Sequence, residues 1–161
     1  MGTAVWAAID GLATAVAAQN AWSSTPFITG LPTPAQQAQH SVHGYVSGEI
    51  EDWTSDYSAT VWDDGTGLRG TIDEAFVLKA GVYVKQLAGT LTSLRDVAQP
   101  LLEGIRAAVR TDHTLGGALS GAGLAKVIGL QTGESLFGDQ LTYRELHVLV
   151  RISCAAVVDA A

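Results

Sequence analysis

Residues 94–117, LRDVAQPLLEGIRAAVRTDHTLGG, limit what this chain can fold into more than any other stretch. Leu94, Val97, Leu101 and Ile105 recur at three- and four-residue spacing, and Ala98, Leu102 and Val109 widen the stripe. That spacing puts all of them on one face of a helix, which must be buried against another layer. Asp96 and Glu103 lie towards the start and Arg106 and Arg110 in the last turns, each sign at the end the helix dipole favours. Ser93 is the expected N-cap, with Asp96 as its capping-box partner. Gly116-Gly117 is the expected exit, because glycine takes a left-handed conformation without strain. Pro100 removes one backbone bond and crowds Asp96, so the helix either kinks there or starts there. One kinked helix is the reading adopted.

The chain has 161 residues, 47% hydrophobic and 16% charged, which suits a single packed domain spanning residues 1–161. The single Cys154 excludes an internal disulfide and, in an apolar alternating run, reads as a buried inert thiol. A net charge of −7 argues against wrapping nucleic acid. The charge is unevenly spread. No Lys or Arg precedes Arg69, while Glu51, Asp52, Asp56, Asp63, Asp64, Asp73 and Glu74 crowd one region. Residues 50–72 therefore read as an extended acidic connection, either a solvated loop region or a surface that repels a polyanion. The apolar N-terminus lacks a positive leader and is interrupted by Asp10, so it reads as a helix and not a signal peptide. No run of about 20 apolar residues exists, so no bilayer span is expected. A soluble protein, intracellular where it is made, is the expectation.

In chain order, residues 4–19 form a first helix through Val5, Ile9, Leu12 and Val16. Residues 27–29 make a short strand, residues 35–39 carry no pattern, and residues 41–50 make another strand. Trp53, Ser55, Tyr57, Ala59 and Val61 alternate with mostly polar residues, as an extended arm or an edge strand would. Residues 74–86 alternate strongly, with Phe76, Leu78, Ala80, Val82 and Val84 on one face and Val77, Lys79, Gly81, Tyr83 and Lys85 on the other. Residues 87–92 read as a loop. A strand over 124–132 turns at Gly133-Glu134 or Gly138-Asp139, and residues 141–154 form the second strong strand before a frayed end. The expected class is α+β: a mostly antiparallel sheet of four to five strands, with the N-terminal and central helices packed on one face.

Motifs of chemistry are absent. His40, His43, Glu49 and Glu51 lack a metal-ligand spacing, and Asp112-His113 reads as a helix end. No serine has a nucleophile-elbow setting, and Gly116, Gly117, Gly121 and Gly123 lack the G-K-[ST] of a phosphate loop. No catalytic residue, metal or cofactor is expected, and no enzyme signature is found.

Several pieces taken together resemble the tail terminators of long-tailed, siphovirus-type bacteriophages, in the form common among phages of actinobacteria. They are the N-terminal helix, then His43-Gly44-Tyr45-Val46-Ser47-Gly48 with Trp53 downstream, and Asp73-Glu74-Ala75-Phe76 opening an alternating strand. The helix ending Ala107-Ala108-Val109-Arg110-Thr111-Asp112-His113-Thr114-Leu115-Gly116-Gly117 is the most characteristic piece, and Tyr143-Arg144-Glu145-Leu146-His147-Val148-Leu149-Val150 closes the set. The resemblance covers about residues 40–154 and departs at Pro100 and at the acidic connection. It implies a structural virion protein, assembled in the host cytoplasm and placed at the head-proximal end of the tail. Such proteins form a six-fold ring that stops tail-tube polymerisation and meets the neck. The implied partners are further copies of the chain, the tail tube protein and a neck, stopper or connector protein, with DNA passing through the lumen unbound. Under this reading Trp53, Tyr57, Trp62, Val77 and Tyr83 are interface candidates, with Trp53, Tyr57 and Trp62 either docking on the tube or the next subunit or covering the sheet edge within one subunit, and Asp63 and Asp64 line the lumen. A stopper-type head–tail joining protein is the near alternative; a small-ligand-binding or enzymatic α+β domain is the distant one.

Overall fold

Two long strands carry the architecture. The structure, a computed structural model, describes residues 3–61, 68–119, 124–137 and 142–159. In order these form α1 (Ala4–Ala17), a 3-10 turn (Asn20–Trp22), β1 (Phe27–Thr29), α2 (Pro34–Gln39), β2 (Val42–Val46), β3 (Glu51–Val61), β4 (Leu68–Leu87), α3 (Leu91–Thr111), β5 (Lys126–Phe137) and β6 (Tyr143–Asp159). All six strands join one sheet, ordered β1-β2-β4-β6-β5, with β3 also paired to β4. β4 and β6 run antiparallel from Leu87↔Tyr143 to Thr71↔Asp159. The other edge of β4 is shared: β2 takes residues 80–84 and β3 takes residues 68–77. Only β1 pairs parallel, to β2.

The alternation in β4 and β6 decides which face is covered. Phe76, Leu78, Val82, Leu146, Val148 and Ile152 point to one side and are buried. α3 lies there over β4 and β6, and α1 packs beside it over β1 and β2. The stripe of α3 meets the sheet through Leu94, Leu101 and Ile105. Trp22 plugs the space between helix and sheet. Its indole N–H donates to the Leu101 carbonyl at 3.0 Å, and its ring lies edge-on to Phe27. It fits because Gly44 on β2 and Gly104 on α3 flank it; a Cβ at either position would fall within 3 Å of the ring.

Both helices are fastened at their ends. α1 is capped by Thr3, and the Glu74 carboxylate from the middle of β4 accepts from the Ala4 N–H at 2.8 Å and the Thr3 hydroxyl at 3.0 Å. Acid at a helix N-terminus is stabilising, which explains why a buried glutamate is tolerated there. α3 leaves through Asp112, whose carboxylate accepts from the Thr114 hydroxyl and the Gly116 N–H. Leu115, Gly116 and Gly117 all have positive φ. Leu115 is thereby turned into the core, and its carbonyl rests on Gly11 of α1, where a Cβ would be 2.0 Å from the oxygen. The most characteristic piece of the resemblance is thus a clip between the two helices.

Several expectations change. The sheet has six strands and is mixed, because the connection through α2 returns β2 alongside β1 in the same direction. Residues 51–61 and 68–72 are no loose connection; they are ladder-paired strands, from Glu51↔Val77 to Val61↔Leu68. Thr90, not Ser93, caps α3; Ser93 and Thr90 bond reciprocally, so Asp96 has no capping part. As the sequence predicts, one helix runs through Pro100 and does not start there. Residues 35–39 belong to a short helix with its own capping box, Thr33 with Gln36. β5 runs through Gly133-Glu134, and β6 continues to Asp159 where fraying was expected. Gly138 and Asp139 lie outside the described residues.

Candidate functional site

The interface candidates fall into three groups. Trp53 and Tyr57 stand on β3, 46% and 63% exposed. Val77 has 7% of its surface left, and Tyr83 is half-buried with its hydroxyl donating to the Glu145 carboxylate. Trp62, Asp63 and Asp64 lie outside the described residues.

β3 belongs to a blade. Beyond Glu74, where the first turn of α1 is seated, β4 is accompanied by β3 and the end of β6. Tyr57 opposes Ile72, on the same side as the helices, while Asp56 opposes Asp73 on the other side. Both aspartates are exposed, and two like charges facing across a ladder are destabilising. Other acids in this region are neutralised at its base. Glu51 accepts from Arg151 at 3.0 Å and lies 3.5 Å from Lys79, and Arg151 holds its carboxyl below the usual range. Glu49 also meets Lys79, at 3.2 Å. The acids near His40 and His43 therefore have cationic partners, and among the described residues no group of three metal-ligating side chains converges.

At the opposite edge, α3 stops short of β5. Two adjoining clefts, about 470 and 630 Å³, run along this gap and share Arg106 and Leu130. The floor is Leu130 with Leu146 and Val148; Ala98 and Leu102 form the wall. Arg106, Arg110 and Lys126 lie along one end. Leu130 is 44% and Ile128 47% exposed, although both sit in a strand.

A third feature covers the outer face of the sheet. The Tyr45 hydroxyl meets His147 Nε2 at 2.7 Å, and His43 stacks against Tyr83 with ring centroids 4.8 Å apart. The Nδ1 of His43 faces the His40 carbonyl at 3.2 Å, so Nδ1 carries the proton and Nε2 is an acceptor. That Nε2 is buried with no partner among the described residues. Burial holds both histidines below their ordinary pKa and pushes the Tyr83 hydroxyl up, the latter with help from Glu145. Cys154 is buried, its thiol pushed up to about 12 by desolvation. Among the described residues, no helix is long and apolar enough to cross a membrane.

Comparison with known protein families gives no match along this chain, and comparison with curated proteins gives none either.

The sequence marked Trp53 and Tyr57, and the structure puts both on one exposed strand. It did not mark the cleft beside β5. Only the unusual density of apolar residues in a strand without a clean alternation, Val127, Ile128 and Leu130, signals it.

Proposed function

We propose that this chain is a structural subunit of a bacteriophage tail, a terminator that closes as a ring, of six copies by the resemblance, on the finished tail tube and offers the next surface to the neck. The observation that carries the reading is the blade. A strand pair leaves the core, is regularly paired from Thr54↔Ala75 to Val61↔Leu68 after a bulge at residues 51–54, and displays Trp53 and Tyr57 exposed. Large exposed aromatics on a paired edge strand are anchors for a protein partner, and identical subunits joined head to tail close into rings. The resemblance in residues 40–154 supplies the tail context. Its most characteristic piece serves to hold α3 to α1, which fits a shared scaffold better than a shared active site.

Electron microscopy of lysates from the source phage with this gene silenced tests the reading. Overlong, headless tubes are expected, because polymerisation loses its stop. Tails of normal length lying beside filled or leaking heads would move the chain to the stopper-type role. Fully assembled particles would remove it from the tail. A lumen position for Asp63 and Asp64 predicts that reversing both charges slows DNA ejection, since an acidic wall repels the passing polyanion. An unchanged ejection rate counts against that position.

A further inference from the structure

We infer that the cleft and free edge of β5 receive the β3 blade of a second copy of this chain. The inference deepens the ring reading by saying how one subunit meets the next.

Two unpaired strand edges of nearly equal length, 11 residues in β3 and 12 in β5, bound the same sheet on opposite sides. Long exposed edges invite pairing with another chain, and proteins that stay monomeric blunt them with lysine, proline or a covering loop. β3 has neither lysine nor proline and β5 has one lysine at its first residue; the bulge in each lies near one end, at residues 51–54 and 127–129, and leaves the rest of the edge regular. Pairing one copy's β3 with the next copy's β5 continues the sheet from subunit to subunit. Backbone bonds would give affinity and the side chains selectivity.

The side chains match on both faces. Tyr57 shares the helix side of the sheet with Ile72, and Leu130 shares that side with Val150. Continuing the sheet lays the aromatic side of the blade along the apolar floor of the cleft, beside Arg106 and Arg110. Arginine stacks well on aromatic rings. On the other side the opposed pair Asp56 and Asp73 meets the side that carries Lys126, which opposes Ser153 there. Arg110 and Lys126 make no ion pair among the described residues, and the aspartates repel each other. A second copy relieves both. The chain's own charge asymmetry thus favours a head-to-tail contact over a self-complementary one, which would set acid against acid or base against base.

The test uses two variants of the full chain, measured by sedimentation velocity and native mass spectrometry at low salt. The blade variant is Asp56→Lys with Asp73→Lys; the edge variant is Lys126→Glu, the cation on the same side of the sheet as the two aspartates. Unchanged circular dichroism confirms folding, since all three side chains are exposed. Wild type is expected to self-associate, and each variant alone to do so at least ~10-fold more weakly, the effect of about 1.4 kcal/mol at the contact. Mixed one to one, the variants are expected to co-assemble in alternation as far as wild type does, because every contact then pairs opposite charges, and the variant carrying all the changes assembles like wild type. A monomeric wild type overturns the inference, as does either variant assembling normally alone. If the edge variant alone fails while the blade variant assembles, β5 pairs with β5 and the blade is not its partner. Association that follows the expected pattern in a protein unable to cap tubes sinks the tail reading and leaves this contact standing. Tube capping by both variants does the reverse.

Discussion

The two halves of β4 are one strand under two regimes. From Phe76 to Val84 every second residue is apolar and buried beneath α1 and α3. From Leu68 to Asp73 the ladder continues with equal regularity, yet its partners are Tyr57, Asp56 and their neighbours, beyond Glu74 where α1 is seated. Burial stabilises the first half by about 25 cal/mol per Å² of apolar surface. The second has mainly its backbone bonds, each worth only about 1 kcal/mol net. Under the proposed function, stability belongs to the first half and recognition to the second.

Breaking the covered half should therefore cost most. Trp22→Ala removes a buried ring and strands the space between Gly44 and Gly104; a loss of about 3–5 kcal/mol is expected in urea unfolding. A loss near zero would mean that Trp22 does not hold helix to sheet. Glu74→Ala acts at the junction of the halves. It leaves the Ala4 N–H without its acceptor and should lower stability by about 1–3 kcal/mol, while the β3–β4 ladder persists by hydrogen exchange.

Acid sharpens the contrast further. His43 and His147 sit over the covered half, and burial lowers both from the ordinary value of 6.5. The unfolded chain then binds protons that the folded one refuses. Their contribution is fully present above about pH 6.5 and is lost as pH falls from there towards the folded values. The thermal midpoint should drop across that window, and His43→Gln with His147→Gln should flatten the drop. The smallest effect on stability belongs to the blade. Trp53→Ala is expected to change unfolding free energy by no more than about 0.5 kcal/mol and yet to abolish tail capping in complementation. A substantial loss of stability would show that Trp53 belongs to the subunit's own packing.

What the sequence disclosed follows the same division. α1, α3 and the inner lengths of β4 and β6 were legible because burial writes a period into them: three and four in α3, two in Phe76, Leu78 and Val82. β3 was visible only as an alternation of aromatic and polar residues, and its pairing with residues 68–77 was not, because Thr54 to Tyr57 are exposed and no period marks the partner. β1 was read as a strand, but its parallel pairing to β2 was not, because three residues carry no direction. The short α2 was written in a capping box, Thr33 to Gln36 after Pro32, and the residues between were too polar to draw attention. The cleft beside β5 is made by where α3 ends relative to a strand, a distance no local pattern records.

Glu74 does two things from one position. It belongs to the ladder of the long strand, and its carboxylate is the seat on which α1 begins. The lever that leaves the core is therefore pinned at its fulcrum to a helix that is itself latched to α3 through Leu115 and Gly11. A pull on the tip would therefore load both helices through this one carboxylate.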